Sequence, residues 1–162
     1  MKSFDPTADR DALRDALGQF TTGVTIVTVN TPSGPLGMTA NSFTSVSLSP
    51  PMILWCPATT SLRHNAFATA EHFALHILSS GQEHLAREFA KAGEAFHHCD
   101  WDLDATGLPL INACSARLVC RTETRIGAGD HTIIVAHVDA AASSGKPALA
   151  FSGGKYGAFT ES

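Results

Sequence analysis

Residues 37–49 read GMTANSFTSVSLS, small and polar where a core strand would be apolar. Small side chains let a flat ligand approach the main chain, and Gly37 removes steric bulk altogether. The peptide N–H groups there, with the side chains of Thr39, Asn41 and Ser42, form a row of donors and acceptors. Such a row suits a conjugated ring that gathers negative charge when reduced, because preorganised donors favour the charged state. A plain polar edge strand has the same composition. A second polar cluster, Thr59-Thr60-Ser61, stands just ahead of a helical pattern. Its hydroxyls can cap that helix, or the free N–H groups of the helix start can hold an anion. Arg87, His131 and Tyr156, the single tyrosine, complete the candidates. Alone, the first two read as a solvated helix arginine and a structural strand histidine.

Other motifs lead nowhere. Gly127-Ala128-Gly129 opens a pattern like a dinucleotide fingerprint, but a strand follows where that fingerprint needs a helix. The sequence has no P-loop and no Gly-x-Ser-x-Gly elbow. His97-His98-Cys99-Asp100 contains metal-ligand types, yet adjacent residues rarely address one ion and no second cluster at zinc spacing accompanies them. A solvated loop without metal is the reading. The four cysteines, Cys56, Cys99, Cys114 and Cys120, include no CxxC pair and are expected to be reduced.

The elements that must position these residues follow from composition and period. At 162 residues, 44% hydrophobic and 16% charged, the chain suits one well-filled domain over residues 1–162. A net charge of −4 argues against nucleic acid as a partner. No apolar run is long enough for a membrane span, and the N-terminus lacks a signal peptide's apolar core, so a cytoplasmic protein is expected. Leu13, Leu17 and Phe20 predict an amphipathic helix over 9–20. Residues 25–29 are β-branched throughout, a strand buried on both faces, and Pro32-Ser33-Gly34-Pro35 turns it antiparallel. Strands follow over 52–56 and 73–78, separated by a helix over 62–70 that buries Leu62, Ala66 and Phe67. Ser80 and Glu83 have capping-box spacing ahead of a helix with Leu85 and Phe89 on one face. Residues 91–109 read as a surface loop, and strands cover 116–122, 132–138 and 149–151. The outcome is mainly β, a barrel with a few short peripheral helices.

The run over residues 37–51 resembles the signature stretch of the flavin reductase-like family, whose members share an FMN-binding split-barrel fold. They include the small reductase components of two-component flavin monooxygenases. Residues 20–28 resemble the family's opening strand, Arg87-Glu88-Phe89-Ala90 its Arg-x-Phe-Ala helix end, Gly129-Asp130-His131-Thr132 its Gly-Asp-His strand start, and Gly154-Lys155-Tyr156 its C-terminal tyrosine motif. The likeness spans residues 18–157 in order.

The resemblance implies a Greek-key split β-barrel and an NAD(P)H:flavin oxidoreductase passing hydride from nicotinamide C4 to flavin N5. FMN or FAD would be the flavin, NADH or NADPH the donor; the residues do not choose. Thr39, Ala40, Asn41 and Ser42 would line the isoalloxazine. Cys56, Pro57, Thr59, Thr60 and Ser61 would follow the ribityl chain to the phosphate. Arg87 would lie near that phosphate and Phe89 under the ligand, with His131 and Tyr156 on the nicotinamide side. Relatives often carry arginine before that tyrosine; Lys155 keeps the charge without the bidentate fork, so no exact phosphate contact is expected there. No catalytic acid–base dyad is required, because the cofactors carry the chemistry. The resemblance further implies a homodimer and a flavin-dependent monooxygenase supplied with reduced flavin. A flavoprotein electron carrier that keeps its flavin and never meets nicotinamide would share the same signature run.

Overall fold

The computed structural model describes Met1 and residues 3–160. Helix α1 (Arg10–Gly18) leads into β1 (Thr22–Gly23), β2 (Thr25–Thr31), β3 (Gly34–Ala40), β4 (Thr44–Leu48) and β5 (Pro51–Trp55). Then come α2 (His64–Thr69), β6 (His72–Ile77), α3 (Glu83–Lys91), β7 (Trp101–Leu103) and β8 (Pro109–Ile111). Two hairpins close the chain: β9 (Ala116–Ala128) with β10 (His131–Ser143), and β11 (Leu149–Ser152) with β12 (Lys155–Ala158).

Seven strands form one antiparallel sheet in the order β3-β2-β6-β9-β10-β5-β4. The two edge strands, β3 and β4, are consecutive in the chain and joined by residues 41–43 alone. Laid flat, seven strands would hold their edges roughly 29 Å apart, whereas four Cα steps reach about 15 Å. The sheet must therefore curl until its edges approach, which produces the split barrel. Strand β2 shows the consequence. Its odd residues Val27 and Val29 join Met38, Trp55, Phe67 and Phe73 in one core cluster. The even residue Ile26 joins Leu85, Ala86 and Phe89 of α3 in a second. Both faces are covered, as the β-branched run predicts.

Several expectations need correction. No residue of α1 is buried: Leu17 and Phe20 of its apolar stripe stand exposed, because the helix lies outside the curled sheet. Helix α2 starts at His64, and Leu62 is exposed while Phe67 is buried. The capping box uses Ser79 and Gln82, one residue early, because a 3₁₀ turn at Ser80–Gln82 precedes α3. Residues 91–109 are not a simple surface loop: Ala95, Phe96 and Leu108 are buried and β7 pairs with β8. Strands β9 and β10 run well beyond their expected ends, and β12 was not foreseen. The glycines at 127 and 129 serve a tight hairpin, with Gly129 at φ 61° between paired Ala128 and His131.

His76 is fully buried and fixes β6 to two neighbours. Its Nδ1 donates to the Ile26 carbonyl (3.0 Å) and its Nε2 accepts from the Ile111 N–H (3.0 Å). Burial pushes its pKa from 6.5 to about 4, mainly by penalising the charged ring. Between those values the unfolded chain binds a proton that the folded chain refuses, so stability falls with falling pH. Urea unfolding from pH 7.5 to 4 is expected to lose about 3 kcal/mol from this group, and His76→Gln to flatten that part of the curve.

Candidate functional site

The outer edge of β3 is covered along half its length. Gly37 N–H donates to the Gly93 carbonyl (2.8 Å) and the Gly37 carbonyl accepts from Arg63 Nη1 (2.9 Å). In an antiparallel ladder the peptide groups of alternate residues face the same way, so that of Thr39 also points outward, and Asn41 follows just past the end of the ladder. Among the described residues neither N–H has a partner on that side. The chain leaves β3 there for β4, and no strand can cover the gap.

Two cavities flank this bare edge and share Thr39, Ala40 and Asn41 as a wall. The larger, about 280 Å³, is completed by Met38, Ser42, Cys56, Pro57, Ala58, Ser61, Arg63 and His131. The smaller, about 140 Å³, adds Val24, Phe151 and Tyr156. The predicted residues from both ends of the chain thus meet at one seam.

Their hydroxyls are mostly engaged elsewhere. Thr39 Oγ1 donates to the Ala86 carbonyl in α3 (2.8 Å). Ser42 Oγ donates to the Cys56 carbonyl (2.9 Å) and accepts from the Cys56 N–H (3.1 Å), closing the seam where strand pairing fails. Thr59 gives both its N–H (2.9 Å) and its hydroxyl (3.0 Å) to the Asp130 carbonyl, pinning the β9–β10 hairpin to the 57–59 segment. Thr60 is exposed and lines neither cavity. Asn41 is exposed, and its amide has no partner among the described residues. Burial raises the Cys56 thiol above its usual range, so it is a neutral thiol and not a nucleophile.

Four expectations meet a different geometry. Gly37 does not make room for a ligand: a Cβ there would lie 2.5 Å from the Phe89 ring, which already fills the space. Phe89 is wholly buried behind β3, packed edge-on against Phe96 at 5.0 Å, and lines neither cavity. Arg87 does not reach the larger cavity; its guanidinium lies over the Tyr156 ring, 4.8 Å from the centroid. Nor do Thr59 and Thr60 cap α2, whose N-cap position is Arg63.

The residue that sequence reasoning missed is Arg63. Its Nη1 donates to the carbonyls of Gly37 (2.9 Å) and Phe89 (2.7 Å), and its Nη2 to that of Ala90 (3.0 Å). It therefore caps the last turn of α3 and ties it to β3. These bonds use three of the five guanidinium donors and leave two for a ligand. Burial lowers its pKa, though nearby Glu94 opposes the shift. Among the described residues that line the larger cavity, Arg63 is the one fixed charge and none is a carboxylate. Its position two places after Ser61 was the available signal. His131 lines the same wall, with Nδ1 on the Asp130 carboxylate (2.7 Å). That contact holds the Asp130 carboxyl below its usual range.

Bare peptide donors, one cation and no acid suit a flat, anionic, electron-rich ligand. Residues 17–160 match the family described as flavin reductase like domain. This chain belongs to the flavin reductase family. It is 52% identical over 149 residues to the FMN reductase (NADH) SmoA of Agrobacterium fabrum, covering 92% of this chain and 86% of that protein. It is 40% identical over 158 residues to the reductase component of the flavin-dependent trigonelline monooxygenase of Acinetobacter baylyi, covering 96% of this chain but only 51% of that protein. The NADH:FAD oxidoreductase of Streptomyces globisporus, solved with NAD and FAD fragments, superposes with a TM-score of 0.92 at 42% identity, over 99% of this chain and 98% of that one. The expected fold and family stand.

Gly37→Ala tests the packing behind the wall. Forcing a methyl against Phe89 is expected to cost about 1–3 kcal/mol in urea unfolding. Phe89→Leu in the same background is expected to recover part of that loss.

Proposed function

We propose that this flavin reductase binds FMN or FAD with the isoalloxazine along the bare edge of β3 and passes it hydride from NADH or NADPH. The observation that carries the placement is the outward peptide group of Thr39 together with the Asn41 N–H beyond it, both unpaired among the described residues, at the wall shared by both cavities. The fit is chemical: N–H donors face the ring edge where reduction accumulates charge, and Arg63 with Ser61 offers an anion site deeper in the larger cavity. When bound, the flavin supplies the hydride acceptor and the reduced nicotinamide the donor.

The chain's own residues orient and exclude. Thr39 and Asn41 present main-chain donors, and the Asn41 amide adds a side-chain partner that no protein group occupies among the described residues. Cys56, Pro57 and Ala58 form the floor that leads to Ser61. His131, held by Asp130, lines the larger cavity, and Tyr156 walls the smaller one, where we place the nicotinamide. Two aromatic rings stacked for hydride transfer need reacting atoms roughly 3–3.5 Å apart, which rigid walls supply better than loops.

Reduced flavin then serves a partner monooxygenase in this reading, supported by the Acinetobacter baylyi relative's designation as a reductase component. We also infer that residues 1–162 act as one domain, that two copies associate, and that the enzyme works in the cytoplasm. Exposed Leu17, Phe20 and Phe159 support the pairing, and no helix among the described residues is long and apolar enough to cross a membrane.

Steady-state oxidation of NADH and NADPH with FMN and with FAD tests the activity. Turnover is expected with at least one pairing; none with any would leave the electron-carrier reading. Asn41→Asp sets a carboxylate against the ring, and flavin affinity by fluorescence quenching is expected to fall roughly tenfold.

A further inference from the structure

The smaller cavity is a slot with two walls from distant parts of the chain. One wall is the end of β3; the other carries Tyr156 on β12, an edge strand held only by β11. Glycines at 153, 154 and 157 flank Tyr156, so its ring is held by the second core cluster it packs against and not by neighbours along its own strand. Its aromatic neighbour is Phe151, tilted 58° at 5.1 Å between centroids.

Helix α3 touches both walls through neighbouring residues. The Ala86 carbonyl accepts the Thr39 hydroxyl at 2.8 Å. Arg87, the next residue, lays its guanidinium 4.8 Å over the Tyr156 ring. Glu83, one turn earlier, grips that guanidinium through a single oxygen, which accepts from Nε (2.9 Å) and Nη2 (2.7 Å). Both bonds tie the guanidinium to the first turn of α3, an i,i+4 pair on the helix surface. The helix itself is anchored by buried Leu85, Ala86 and Phe89.

We infer that α3 is the spacer that sets the width of this slot, with Arg87 as a positioning residue that holds the Tyr156 ring parallel to the β3 edge for the nicotinamide. The inference rests on the nicotinamide placement proposed above. It assigns Arg87 to the donor side of the reaction and away from the flavin phosphate. Arg87 touches neither cofactor; it acts through Tyr156, and Glu83 acts through Arg87.

Because Tyr156 is the only tyrosine, 3-fluorotyrosine labelling gives one ¹⁹F resonance that reports its ring. Arg87→Met removes the cation and keeps a flexible apolar stem. It is expected to move that resonance and to raise KM for the reduced nicotinamide about two- to five-fold, the scale of an exposed cation–π contact, while the flavin Kd stays within a factor of about two. Arg87→Lys is expected to restore part of the KM, and Glu83→Gln to shift both readouts the same way by less. An active wild type whose Arg87→Met variant keeps both its KM and its resonance overturns the inference alone. So does a variant that loses flavin affinity with KM unchanged, which returns Arg87 to the phosphate. A wild type that oxidises neither nicotinamide sinks the functional reading, and the inference with it.

Discussion

The structure depends on a short connection between the two edges of one sheet. Residues 41–43 must carry the chain from β3 to β4 at opposite ends of seven strands, and that reach forces the curl. The same connection leaves the end of β3 without a neighbour. Ordinarily an open sheet edge is a liability that proteins cover or charge. Here Gly93 and Arg63 cover the first half, and the second half stays bare between two cavities. The constraint that closes the barrel therefore leaves unpaired main chain between two cavities, the surface on which we propose that the flavin lies.

From this follows a division of labour that side-chain chemistry alone conceals. The hydroxyls of Thr39, Ser42 and Thr59 hold pieces of protein together: β3 to α3, the seam to Cys56, and the hairpin to the 57–59 segment. In the proposed reading, ligand recognition falls to the main chain, to Asn41 and to Arg63. A substitution that removes one of those hydroxyls acts on the wall's position before it acts on any contact with a ligand.

Much of this was legible in the sequence. The β-branched run at 25–29 and the Pro-Ser-Gly-Pro turn after it carry local signals that the fold respects, and the resemblance places a strand start at Gly129-Asp130-His131, where β10 begins. Ala40, Asn41 and Ser42 of the polar stretch at 37–49 share a cavity wall with His131, and Ala40 and Asn41 share another with Tyr156, residues that the resemblance groups together. What stayed hidden depends on long-range partners. Arg63 looks like any helix-start arginine until the carbonyls of Gly37, Phe89 and Ala90 arrive from elsewhere. Gly37 reads as room for a ligand until Phe89 occupies that room. Arg87 alone reads as a solvated helix arginine, and only the fold brings Tyr156 beneath its guanidinium. The apolar stripe of α1 misled because period alone gives an apolar face and not what lies against it.

Amide hydrogen exchange, read residue by residue with and without flavin, addresses the central claim most directly. Without flavin, the Thr39 and Asn41 amides are expected to exchange fast, while Gly37, bonded to Gly93, is already protected. Saturating FMN or FAD is expected to slow Thr39 and Asn41 and to leave Gly37 little changed. Saturation by flavin with both amides still exchanging at their free rates would mean that the ring lies somewhere else.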